Sequence, residues 1–376
     1  MKNICLVLFF FFSLLSFGQV NTGYPLVDAK MAAIPANSAT STEAIAAYIN
    51  ANFKTETDKI RAVFYWTASN ISYDIENKFA IIFNETSENK IKKGLETKKG
   101  VCINYAEIFN DIANKVGIKS VVIEGYTRQS GCVDYIPHAW CGAIIDGKWC
   151  VFDPTWGSGG ISDGVFVKKI NDDYFKVDPV KIISSHMPFD YLWQFLNYPI
   201  TNQEFYESKT RVNKSKIYFD YESEISKYRT LLVIEKLISS SVRIEKNGVK
   251  NALIFSELFD KKREIEFYKQ NKMNDDFNYI VNLYNEGIYE LNGFVNFRYD
   301  RFKPNVPDEE LKKMIVEPKN KLLKTQKLLS DLVTIPENSL PSINSIRKGL
   351  LEMIKLAEEQ EVYMEKYLSK PKLDRR

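Results

Sequence analysis

The sequence predicts an α+β protein in two parts: a helix that opens at Cys102 and packs on antiparallel strands, then an α-helical bundle. Three observations carry this. Tyr105, Ile108, Phe109, Ile112 and Val116 recur at steps of three and four, the spacing of one buried helix face. Three β-type runs follow, at Ser120 to Thr127, Ala139 to Ile145 and Lys148 to Phe152, with the hairpin dipeptide Asp146-Gly147 between the last two. From about residue 220 the apolar spacing turns helical and stays so.

The remaining elements are read in chain order. Lys2 and the apolar run from Ile4 to Phe17 have the pattern of a cleaved leader, with small residues at Ser16 and Gly18 and cleavage expected after Gly18. That run of 14 residues is shorter than the roughly 20 needed to span a bilayer. Residues 1–18 are therefore assigned to a signal peptide, and the mature protein is expected to be exported to the periplasm, cell surface or medium. No membrane span is expected after cleavage. Residues 19–40 read as an extended lead-in. A helix capped by Thr42 carries Ile45, Ile49 and Phe53, and a second from Asp58 carries Ile60, Val63, Phe64 and Thr67. A short helical piece falls near Asn89 to Thr97. The Cys102 helix closes at Gly117, a residue suited to the left-handed position.

A catalytic domain over 41–200 and a linker over 201–219 precede a helical domain over 220–370. A helix from Glu222 to Lys246 stops at Asn247-Gly248, and three or four more reach about Leu368. Pro304, Pro307 and Pro336 punctuate them, while Pro318 is expected in a first turn or at a kink. Amphipathic helices of this kind ordinarily form a domain core; docking a partner or shielding the site are the further roles they leave open.

Charge excludes two classes of partner. Lys and Arg total 51 against 48 Asp and Glu, which gives no strong claim on nucleic acid or on anionic membrane. The lysine-rich stretch from Lys90 to Lys99 reads as a solvated surface, with attraction of acidic substrates as the alternative. After the leader, four cysteines remain: Cys102, Cys132, Cys141 and Cys150. None forms a C-x-x-C pair. If Cys102 is a working thiol, at most two of the other three can pair.

Cys102 stands at a helix N-terminus, where free N–H groups and the helix dipole favour a thiolate. A thiol nucleophile needs a base that titrates near neutrality, and the chain has only two histidines, His138 and His186. The hairpin supplies geometry. With Asp146 and Gly147 as turn residues, Ile145 faces Lys148 and Trp140 faces Asp153. His138 and Asp153 then share a face as diagonal neighbours, within side-chain reach. Asp153 can orient the imidazole and leave its other nitrogen for the thiol, the role of the third member of a catalytic triad. The same count sends Cys141 and Cys150 to the opposite face, away from the site.

These segments resemble the transglutaminase-like superfamily. The resemblance lies in Gly100-Val101-Cys102-Ile103-Asn104-Tyr105-Ala106, in His138-Ala139-Trp140, and in Lys148-Trp149 with Asp153-Pro154-Thr155-Trp156. Upstream, Val63-Phe64-Tyr65-Trp66 and Asn70-Ile71-Ser72-Tyr73-Asp74 resemble the helix and turn before that core. The resemblance implies a papain-like fold and acyl chemistry on amides of a protein or peptide substrate through Cys102, His138 and Asp153. Hydrolysis is the favoured outcome; Gln–Lys cross-linking, or a binding module that keeps the fold without catalysis, are the alternatives. Trp66 is the candidate oxyanion-stabilising side chain by its upstream position, although its helix neighbours read as core. The backbone N–H of Cys102 is a further donor. No Asp-x-Asp-x-Asp-Gly loop occurs, so calcium gains no support and no metal or cofactor is expected.

Overall fold

The computed structural model describes residues 23–79, 85–332 and 340–375. The leader expected over 1–18, and Pro336, lie outside them. The chain divides into two compact units: one runs to Leu232 and adds Ser239–Phe259, the other takes Val233–Ile238 and the chain from Asp260 onward.

The first unit opens with a helix. The lead-in expected to be extended holds a helix, α1 (Pro25–Ala32), and a short 3-10 turn at Ala36–Ser38. Pro25 stands in the first turn, where its missing N–H costs nothing, and Val27 and Met31 are buried. Asp28 fixes the helix in place. Arg61, 2% exposed, donates Nε and Nη2 to the Asp28 carboxylate at 2.7 and 2.6 Å, and Nη1 to Asp172 at 2.5 Å. Removing one partner of such a buried pair costs about 3–5 kcal/mol, which makes α1 part of the core.

Helices α2 (Thr42–Asn52) and α3 (Glu56–Asn70) follow. Their caps are Ser41 and Thr55, whose side chains accept from the N–H groups of Ala44 and Asp58; Thr42 is the first helical residue and not the cap. Then come β1 (Ser72–Tyr73), α4 (Ser87–Thr97), β2 (Lys99–Gly100) and α5 (Cys102–Lys115), with Gly117 at φ +90° just beyond. The three predicted strands are present and longer: β3 (Ser120–Gln129), β4 (Cys132–Ile145) and β5 (Lys148–Phe152). Asp146 and Gly147 have φ of 51° and 76°, the left-handed pair of a two-residue turn, and Ile145 pairs with Lys148 as the count required. The pairs run out to Cys141 with Phe152, one step short of Trp140 and Asp153.

A hairpin, β6 (Gly159–Ser162) and β7 (Val165–Lys168), precedes α6 (Pro179–Ile182) and β8 (His186–Pro188). β8 completes an antiparallel sheet in the order β5-β4-β3-β8. Gly125 makes that edge contact feasible: a Cβ there would stand 2.2 Å from the Met187 carbonyl oxygen and 2.6 Å from the Trp140 ring. One side of the sheet presents Ala139, Cys141, Ala143, Ile145 and Phe152 to a core shared with α1 to α5. The other packs Ile123, Trp140, Trp149 and Val151 against Leu192, Phe195 and Ile225.

Helix α7 (Asn202–Tyr206) falls inside the predicted linker and buries Phe205. The single helix expected from Glu222 is two, α8 (Tyr221–Thr230) and α9 (Val233–Asn247), broken at the extended Leu231. Thr230 ends α8, a β-branched residue whose hydroxyl bonds back to the Lys227 carbonyl. Ile225, Ile244, Ile254 and Leu258 belong to cores of the first unit, so the boundary predicted at 220 falls later.

In the second unit, α10 (Ala252–Tyr299), of which residues 260–299 belong here, packs with α11 (Asp308–Asp331) and α12 (Leu340–Leu368). Leu291, Phe294, Leu311, Ile315, Leu322, Leu350 and Ile354 line its core. Pro318 lies well inside α11, not in its first turn, and is buried.

Candidate active site

The start of α5 is held from three sides. Asn104 Oδ1 accepts the Val101 N–H at 3.0 Å, and its Nδ2 donates to the Lys90 carbonyl at 3.0 Å, tying α4 to the helix. Gly100 has no left-handed backbone; its role is room, since a Cβ would stand 2.7 Å from that of Asn104. Tyr105 donates its hydroxyl to the Ile71 carbonyl at 2.8 Å. These bonds set Cys102 as the first helical residue, 1% exposed, with its sulfur 4.0 Å from the Pro137 carbonyl oxygen.

His138, next along β4, is buried and brings Nε2 to 2.8 Å from Asp153 Oδ2. Asp153 is wholly inaccessible and accepts at both oxygens. Oδ1 takes the N–H groups of Thr155 at 2.8 Å and Trp156 at 3.1 Å. Oδ2 takes a second imidazole as well, His186 Nε2 at 3.1 Å. His186 in turn brings Nδ1 to 2.8 Å from the Ser185 hydroxyl. The rings of Trp140 and Trp156 close over both imidazoles, with Trp156 4.6 Å from His186 and 5.4 Å from His138 between centroids.

This enclosure sets the charges. Burial pulls the Asp153 carboxyl up, but the His138 and His186 donors more than offset that and hold it well below the usual carboxylate range. Burial pushes the His138 imidazolium down, yet the Asp153 carboxylate, with smaller help from Cys102, lifts it to about 10. For His186 burial wins, and its pKa falls despite Asp153. The two rings thus differ: His186 is neutral, giving Nε2–H to Asp153 and taking the Ser185 proton at Nδ1, while His138 carries a proton and keeps Nδ1 for the thiol.

Tyr73 is a further neighbour. It pairs with Gly100 across β1 and β2, and Asp74 N–H donates to the Gly100 carbonyl at 2.9 Å. Its phenol is pushed up to about 12, mainly by burial and then by the charges of Cys102 and Asp153, so it stays a hydroxyl donor beside the thiol. Tyr73, Cys102 and His138 open on one cleft of about 770 Å³, lined also by Trp156, Gly160 and Tyr174.

Of the predicted residues, Cys102, His138 and Asp153 come together. Trp66 does not join them. It is fully buried in the core around α3 and is not among the residues that line the cleft; its Nε1 finds no partner among the described residues, and the Lys98 ammonium sits 5.3 Å from its ring. The helix periodicity around Ile60, Val63 and Thr67 already pointed inward. Lys90 is not part of a solvated face either: it is 4% exposed and lies 3.5 Å from Glu107. Cys102, Cys132, Cys141 and Cys150 are all free, and Cys141 is buried against the Ala106 carbonyl at 3.2 Å. His186 and Tyr73 were missed as site residues. The signal for His186 was its rarity alone, as one of two histidines. For Tyr73 it was its place in the turn before the cysteine helix.

Among the described residues, His138, Asp153 and His186 are the group that could gather on a cation, since one ligand atom of each lies within 4.8 Å of the others. Both rings spend Nε2 on the same carboxylate oxygen, an arrangement of donors around one acceptor.

The model of the transglutaminase-like superfamily matches residues 43–154. That segment runs from α2 to just past Asp153 and is similar to a transglutaminase-like core. Mouse "Kyphoscoliosis peptidase" is 29% identical over 169 residues, covering 43% of this chain and 25% of that protein. Hillarin of Drosophila melanogaster is 24% identical over 173 residues, 40% of this chain and 20% of its own. The chain therefore spans a quarter or less of these curated relatives. The periplasmic domain of TgpA from Pseudomonas aeruginosa is 18% identical, covers 36% of this chain and 49% of its own, and superposes with a TM-score of 0.26. No described helix is long and apolar enough to cross a membrane.

Proposed function

We propose that this protein is a cysteine-nucleophile acyl-transfer enzyme acting on amide bonds, with hydrolysis as its outcome. The observation that carries the reading is the relay from Cys102 through His138 to a buried Asp153, with the two ring nitrogens of His138 serving different partners. The peptidase name of the mouse relative supports water as the acceptor. The apolar run after Lys2 supports export before the chemistry takes place.

The steps follow from the positions. Cys102 Sγ attacks the amide carbonyl carbon, and the oxygen takes up negative charge within reach of the Cys102 backbone N–H. Tyr73 offers a second donor from the cleft wall. The C–N bond breaks as His138 gives its Nδ1 proton to the departing amine, leaving a thioester on Cys102. Water then attacks the thioester while His138 takes its proton, the S–C bond breaks, and a carboxylic acid leaves. Throughout, Asp153 keeps His138 oriented and stabilises its charged form.

The test is the rate of iodoacetamide labelling of each thiol, resolved by peptide mass mapping, in the wild type and in His138→Ala. Cys102 is expected to label faster than the exposed Cys132 despite its burial, and to lose that advantage in the mutant. Labelling of Cys102 at the rate of an ordinary thiol, indifferent to His138, would overturn the reading in favour of a binding module. Product analysis with glutamine peptides, with and without an added primary amine, then separates hydrolysis from cross-linking.

A further inference from the structure

The β6–β7 hairpin leaves one strand edge open beside the cleft. Its turn residues Asp163 and Gly164 have φ of 52° and 76°, so Ser162 and Val165 form the close, hydrogen-bonded pair. Alternation makes Gly160 and Val167 the next such pair, and the bond from Lys169 N–H to the Ser158 carbonyl at 2.9 Å continues the series. Gly159 and Ile161 therefore turn their N–H and C=O groups away from β7. Among the described residues no backbone group pairs with them. Both residues line the cleft that holds Cys102 and His138.

Gly160 between them is unexplained by the fold. Its φ is not left-handed, and a Cβ there would meet no atom within 4 Å. The fold would accept a side chain at this position; the cleft would lose part of its opening. The hairpin is also anchored. Lys168 Nζ donates to the Ser69 carbonyl at 2.5 Å, and Phe166 packs on Tyr73 with centroids 6.3 Å apart. Ile161, half exposed, offers an apolar contact on the same stretch.

We propose that the outer edge of β6 binds substrate as an added strand, so that the substrate is an extended polypeptide segment held by its backbone, with Gly160 kept bare to admit it. This rests on the acyl-transfer reading above. It makes substrate choice a matter of chain conformation first and side-chain identity second: a disordered or unfolded segment fits, whereas a small amide gains nothing from β6.

The experiment uses the full chain and three electrophiles: iodoacetamide, an acetylated tetra-alanine chloromethyl ketone, and the same peptide N-methylated at alternate amides. In the wild type the unmodified peptide should label Cys102 fastest, and N-methylation should slow it about tenfold, the effect of losing one or two hydrogen bonds. Gly160→Val should slow the unmodified peptide by a similar factor while iodoacetamide labels Cys102 as before. Equal labelling by both peptides in the wild type would overturn the proposal, whether or not the valine variant folds. Failure of the enzymatic reading shows separately, as iodoacetamide labelling that does not depend on His138.

Discussion

The two units bury different things. The second fills its core with Leu, Ile and Phe at helical spacing, and the buried polar residues there include Thr325 and Gln360. The first buries Arg61, Glu107, His138, Asp153, His186 and Asp190 among its apolar residues. Burying charge is costly unless every group finds a partner, and here each does: Arg61 on two aspartates, Asp153 under four donors, Asp190 on Arg243 at 2.7 Å. Chemistry resides where the buried groups are polar. A bundle held by apolar area tolerates exchange of similar side chains, whereas a site held by matched donors and acceptors depends on each atom.

The largest effect should come from breaking that matching. Asp153→Asn puts an NH2 where either two imidazoles or two backbone N–H groups now donate. We expect amide turnover to fall by about 10⁴-fold and folding stability by about 3–5 kcal/mol, read by peptide hydrolysis and by urea unfolding. A loss confined to activity would mean that the buried network contributes orientation without stability.

Leu322→Ala in the second unit should cost about 2–5 kcal/mol, as its side chain is fully buried and packs on Gly287. Cys102 labelling by iodoacetamide should stay unchanged in this variant. Unfolding of both units in a single transition, with labelling altered, would erase the distinction between them.

The pairing of His138 also sets a dependence on pH. His138 has its folded pKa raised from 6.5 to about 10, so its contribution to stability is complete below pH 6.5 and fades as the pH climbs towards 10. The stability difference between wild type and His138→Ala should therefore shrink over that interval, measured by urea midpoints at several pH values. A difference that is constant with pH would mean that His138 is neutral in the folded protein.

Legibility in the sequence followed the same division. The bundle was visible because its apolar residues repeat, and the register of β4 and β5 because Asp146-Gly147 leaves one way to count. That count alone brings His138 to Asp153. His186 was hidden because it reaches the site on a three-residue strand, through pairing with β3, which no local periodicity announces. Helix α1 was hidden because its first turn is opened by a proline and its anchor, Arg61, lies 33 residues away. The break at Leu231 was hidden because the apolar spacing runs on across it. Trp66 was drawn to the site by its place in the chain and to the core by its neighbours, and burial decided for the core.

Cys132 carries a practical consequence. It is exposed, whereas Cys102 and Cys141 are buried and Cys150 is half-buried. It sits at the tip of the β3–β4 hairpin, paired with Gln129, a residue of the cleft wall. In a Cys102→Ser variant, where the faster thiol is gone, Cys132 is thus a native handle for a fluorophore at the rim of the cleft, and a dye there would signal arrival of a ligand.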